Sequence, residues 1–141
     1  MEAIYFNIRT SCCLAMLSLF FSERIGEMYD KLQFFRAVDL LTAGLRQTHS
    51  FYQYHTPWKY INSTDSEEKK IQETTLHVTY ESLRIIGILL QPLVPQLSDK
   101  LLTRLGVPVN ERKKSDAVLS QKMVGRQLGT ESGQLFKRLD K

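Results

Sequence analysis

The chain has 141 residues, 43% hydrophobic and 24% charged, which suffices for one folded domain with a core and excludes both a two-lobed enzyme and wholesale disorder. Its net charge of +4 is unevenly placed, with ten Lys/Arg against four Asp/Glu in residues 100–141 and nine against eleven in residues 1–99. A basic extension on a near-neutral body fits either a polyanion partner or a solvated surface segment.

Residues 1–22 form an apolar N-terminal segment. The run Cys12 to Phe21 is too short to cross a bilayer, and Asn7 and Arg9 are costly in lipid, so no stable membrane insertion is expected. Phe21-Ser22-Glu23 lacks a small-x-small cleavage pattern, and Glu2 with a single preceding Arg makes a poor mitochondrial presequence. The segment reads as a first helix packed on a bundle. Cys12 and Cys13 are adjacent and behave as small hydrophobes in a reducing compartment, not as a disulfide framework.

From Glu23 to about Tyr54, apolar residues at 25, 28, 32, 35, 38, 41, 45 and 52 step by three and four, which predicts one long helix with a single core-facing stripe. Pro57 disfavours helical geometry at Thr56 and should stop the helix near His55. The lone tryptophan, Trp58, follows at that corner with Lys59 beside it and Arg46 about three turns back. An indole there is either a core anchor or a stacking platform for a splayed-out base.

Thr64-x-x-Glu67 reads as a capping box opening a second helix. Ile71, Thr75, Thr79, Leu83, Ile86 and Leu90 carry its stripe to Pro92, with Glu73, Glu81 and Arg84 mostly on other faces. Pro95 suits a first helical residue, and Leu97, Leu101 and Leu105 lead to a stop at Gly106. Residues 23–106 thus predict an all-α, antiparallel helical bundle, and residues 107–141 a loose basic extension in which Arg112, Lys113 and Lys114 could meet backbone phosphates.

His49, His55 and His77 have no metal-ligand spacing, and no nucleophile-base arrangement is legible, so no catalytic residue, metal or cofactor is assigned. Asn62-Ser63-Thr64 fits a glycosylation sequon that matters only in a secreted chain. A different function class is a helical protein-interaction module without RNA binding, docking through the apolar N-terminus and Leu135-Phe136.

Gln47-Thr48-His49-Ser50-Phe51, Thr56-Pro57-Trp58-Lys59, Leu83 through Pro95, Leu101 to Gly106, Gly125 to Gly129 and Leu135 to Asp140 occur in this order. Together, over roughly residues 24–141, they resemble the anticodon-binding helical domain of methionyl-tRNA synthetases, the mitochondrial form above all. The resemblance implies a class I synthetase type of bundle that docks on a Rossmann-type catalytic domain and receives the anticodon stem-loop of methionine tRNA. It gives Trp58 the role of stacking on an anticodon base, with His49, Lys59 and Arg46 around it, and it implies the mitochondrial matrix.

His49 stands where the family usually has Asn, and Phe51 where it has Tyr or Phe. The family's Asn and Arg four residues apart on the first helix have no counterpart, because Asn7 and Arg9 are two apart and fall on different helical faces. The activating motifs of the family, His-x-Gly-His and Lys-Met-Ser-Lys-Ser, are absent, and Lys122-Met123-Val124-Gly125-Arg126 is only a faint echo of the second. The ATP used by the parent enzymes belongs to a catalytic domain not in this chain, so no aminoacylation is expected from the chain alone.

Overall fold

The computed structural model describes residues 19–120, 122–130 and 133. Four α-helices run through it: α1 (Leu19–Asp30), α2 (Phe34–His55), α3 (Ser66–Leu90) and α4 (Pro95–Arg104), with short 3₁₀ turns at Pro57–Tyr60, Val109–Glu111 and Lys114–Asp116. No strand occurs among the described residues. Most of the N-terminal apolar segment, residues 1–18, lies outside them.

The long first helix of the sequence reading is divided in two. Leu32 adopts a left-handed backbone (φ 56°), while Gln33 N–H donates to Met28 O (2.7 Å) and Leu32 N–H to Tyr29 O (3.0 Å), the paired bonds of a Schellman terminus. A glycine would sit there at less cost, since the left-handed conformation penalises a side chain by about 1–2 kcal/mol. The break resets the helical phase. Leu32, Phe35, Val38 and Leu45, expected on the core stripe, are exposed; Ile25 and Leu41 of that stripe are buried, and beside Leu41 α2 buries Ala37, Gly44, Thr48, Phe51 and His55.

That buried stripe holds small residues because the helices approach closely across it. A Cβ on Gly44 would lie 3.2 Å from Phe21 Cζ and 3.6 Å from Ile86 Cδ1, so α1, α2 and α3 meet at this glycine. The hydroxyls taken into the packed faces bond their own helices: Thr48 Oγ1 donates to Gly44 O (2.9 Å), Thr75 to Ile71 O (2.7 Å) and Ser82 to Val78 O (2.6 Å). Tyr29 OH donates to Leu89 O (2.7 Å), tying α1 to α3, and burial pushes its phenol above the usual value.

α3 starts one residue later than the Thr64-x-x-Glu67 box predicts. Asp65 is its cap and accepts from Glu67 N–H (2.9 Å), while Ser63 Oγ donates to the Glu68 carboxylate. α4 follows expectation at both ends. Pro95 opens it, and Gly106 (φ 69°) closes it with Val107 N–H on Leu102 O (2.9 Å) and Gly106 N–H on Thr103 O (3.0 Å).

The loose extension of the sequence reading is, over residues 107–120 and 122–130, a strap laid across α3 and α4. Val107, Ala117 and Met123 join the core formed by Ile25, Leu41, Ile85, Ile86 and Leu102. A buried ion pair on α3 holds the strap: Arg84 Nη2 donates to Glu81 Oε2 (2.8 Å), both side chains being 0% exposed. The same guanidinium donates to Asp116 O (2.6 Å) and Val118 O (2.7 Å), and Glu81 Oε1 accepts from Met123 N–H (3.1 Å). Glu81 and Arg84 thus lie off the stripe that runs over residues 71–90 and are buried because the strap covers that face.

Candidate nucleic-acid interface

The corner after α2 forms as its residues dictate. α2 stops at His55, and Thr56 turns left-handed (φ 42°) with its N–H on Tyr52 O (3.1 Å). Pro57 is buried and begins the 3₁₀ turn that carries Trp58 and Lys59 outward, closed by Lys59 N–H on Thr56 O (3.0 Å). Trp58 is 42% exposed. Its indole packs on the Tyr52 ring at a centroid distance of 5.4 Å and an interplanar angle of 48°, which places it on the surface of the bundle and not within its core.

Arg46, His49 and Lys59 are also exposed. On α2, Arg46 and His49 are one turn apart on the side opposite Leu41, Gly44, Thr48 and Phe51, and Tyr52 is one turn beyond His49 at the edge of that side. An aromatic surface, an imidazole and the Lys59 cation thus lie toward the end of α2, with Arg46 one turn further back along the same side of the helix. That set can stack on a base, donate hydrogen bonds to it and attract phosphate.

Arg112, Lys113 and Lys114 are elsewhere. Gln91 Nε2, just past the far end of α3, donates to Arg112 O (2.8 Å), whereas the Trp58 turn joins the near end of α3 through residues 61–65. The two groups thus lie toward opposite ends of α3, whose 25 residues span roughly 37 Å at about 1.5 Å per residue. Arg112 is moreover committed within the protein, donating to Asp99 Oδ1 (2.5 Å), Thr103 Oγ1 (3.0 Å) and Val107 O (2.9 Å), so its guanidinium braces the strap on α4 instead of facing a phosphate. Lys114 lies across Gly26 of α1, where a Cβ would come within 2.1 Å of its Nζ.

Other cations of the basic extension are likewise paired inward. Lys122 Nζ meets Asp116 Oδ1 and Arg126 Nη2 meets Glu111 Oε2, each at 2.7 Å. A positive count in the sequence is here largely a set of braces. The hydrogen bond from Lys122 holds the Asp116 carboxyl below its ordinary value. A depressed carboxyl contributes stability that is complete above about pH 4 and fades as pH falls through the lower folded value. Asp116→Asn is expected to flatten the acid limb of a urea-midpoint profile below about pH 4, with little change in slope near neutrality.

Among the described residues, no group of three or more His, Cys, Asp or Glu is placed to hold a metal ion, and no helix is long and apolar enough to cross a membrane.

The described residues thus define an all-α helical domain with an exposed aromatic corner, a surface of the kind that receives unpaired nucleic-acid bases. No family model matches the chain. It is 38% identical over 125 residues to the mitochondrial methionine-tRNA ligase of Homo sapiens, covering 84% of this chain and 21% of that enzyme. To the mitochondrial enzyme of Mus musculus it is 40% identical over 123 residues, covering 82% and 21%. Among solved structures, the apo methionyl-tRNA synthetase of Mycobacterium tuberculosis superposes with a TM-score of 0.73 at 26% identity, over 77% of this chain and 22% of that one. The chain is homologous to mitochondrial methionyl-tRNA synthetases and spans about a fifth of their length. Its helical fold is that of the matched part of the bacterial enzyme.

Proposed function

We propose that this chain is the anticodon-binding module of a methionyl-tRNA synthetase, serving tRNA aminoacylation in the mitochondrial matrix and receiving the anticodon stem-loop of methionine tRNA at the Trp58 corner. The observation that carries the reading is the half-exposed indole on a hydrogen-bonded turn, with Lys59 beside it and His49 and Arg46 exposed along the preceding helix. Unpaired loop bases are where proteins read RNA sequence, and an aromatic face supplies stacking that a duplex cannot accept. Homology to mitochondrial enzymes supports both the tRNA partner and the compartment.

Trp58→Ala tests it. Loss of one base stack, about 1–3 kcal/mol, should weaken binding of methionine tRNA roughly 5- to 150-fold in a filter assay. The melting curve should stay near that of the native chain, because the indole is not a core residue. Unchanged affinity on losing the indole rejects the reading.

A second partner follows from the apolar residues that α1 and α2 leave uncovered. Leu32 is 74% and Phe35 78% exposed, with Val38 and Leu45 further along the same helix. Since the chain spans only about a fifth of its relatives, we assign this stripe to the Rossmann-type catalytic domain of the parent enzyme, where methionine and ATP would be bound.

A further inference from the structure

Trp58 is the only tryptophan of the chain, and its ring neighbour at 5.4 Å is Tyr52. Two bonds of the Tyr52 residue converge on this corner. Its carbonyl accepts the N–H of Thr56, the left-handed residue that ends α2, and its ring lies against the indole carried by the turn that follows. The helix therefore sets the position of the turn and supplies the surface that the indole rests on. Tyr52 is half-buried, so its ring is itself fixed by the bundle.

An isolated surface indole would sample several χ1 and χ2 rotamers, and binding a base would have to select one of them. Backing by a fixed ring removes that selection. Tilted at 48°, the tyrosine ring leans on part of the indole, and Trp58 stays 42% exposed. We propose that Tyr52 is the positioning residue of the base site, holding Trp58 so that one unpaired base stacks on its outward face. The proposal rests on the RNA-binding reading above and deepens it. The phenol hydroxyl has no part in this role, since the contact is between rings.

The test uses the full chain and the anticodon stem-loop of methionine tRNA, with the Trp58 emission as an internal signal. Fixing one side chain in advance changes affinity by about three- to tenfold. Tyr52→Leu, which retains an apolar side chain, should weaken binding by that factor and lower the anisotropy of Trp58 emission in the free protein. Tyr52→Phe should restore both. In a Trp58→Ala background, Tyr52→Leu should bring no further loss of affinity, whereas a merely structural tyrosine would weaken the double variant as much as the single. Native affinity in Tyr52→Leu, or an equal loss in both backgrounds, overturns the proposal. If the native chain does not bind the stem-loop, or Trp58→Ala is neutral, the RNA-binding reading itself fails, and a lowered anisotropy in Tyr52→Leu would then leave the ring contact as packing only.

Discussion

Arg84→Met is expected to lower the unfolding free energy by about 3–5 kcal/mol, the range found when one partner of a buried ion pair is removed. Methionine keeps most of the length of the side chain, so the loss is one of charge and donors, not of volume. Glu81 would be left uncompensated in a site with no solvent access. The carbonyls of Asp116 and Val118 would lose their donors together, and a buried acceptor left unpaired costs about 1–3 kcal/mol. The strap should then detach as a unit, taking Ala117 and Met123 out of the core. Removing both charges with Glu81→Leu and Arg84→Met together should be milder than the single change, because no lone charge remains, yet should not reach native stability, since Met123 N–H and the strap carbonyls still lack partners. Urea denaturation of the three variants measures this, and a native midpoint for Arg84→Met would show that the pair does not clamp the strap.

The clamp also shows where reading the sequence stops short. Glu81 and Arg84 are one turn apart in mid-helix, a spacing that in most helices marks a solvated salt bridge. Nothing local distinguishes them from Glu67 and Lys70, three apart on the same helix and exposed. What buries the first pair is a segment more than thirty residues further on, and periodicity carries no information about such a contact. The basic count after residue 100 misleads for a related reason, since Arg112 and Arg126 are neutralised by Asp99 and Glu111 that sequence distance conceals.

Features set by a local rule were legible. Pro57 ends α2 where the rule places it, Pro95 and Gly106 bound α4, and the corner presenting Trp58 follows from the first of these. The break at Leu32 was missed because the left-handed residue there is not glycine. Its consequence was larger than one turn. Once the phase is reset, Phe35, Val38 and Leu45 of the stripe that looked like core turn outward while Leu41 stays buried, and the small residues Ala37 and Gly44 beside it let helices approach.

Gly106→Ala should destabilise the bundle by about 2–5 kcal/mol, combining about 1–2 for a side chain in left-handed geometry with about 1–3 for overpacking. The second contribution comes from the strap: a Cβ on Gly106 would lie 2.2 Å from the backbone oxygen of Gln127, a contact relieved only by moving the chain. Gly125 provides the control. Its φ of 67° is nearly the same as the 69° of Gly106, but nothing lies within 4 Å of its Cβ position, so Gly125→Ala should cost only the conformational part, about 1–2 kcal/mol. The difference between the two midpoints in urea therefore isolates backbone-to-backbone docking of the strap on the end of α4, the docking that Gly129 N–H on Arg104 O (2.8 Å) and Arg126 Nη1 on Gly106 O (2.9 Å) complete. Equal losses at both glycines would mean that the strap yields without cost. Because Gly106 meets Gln127 and Arg126 of the strap whereas the Trp58 ring packs on Tyr52, Gly106→Ala should leave the tryptophan emission spectrum of the folded protein unchanged, which separates what holds the domain together from what its aromatic corner presents.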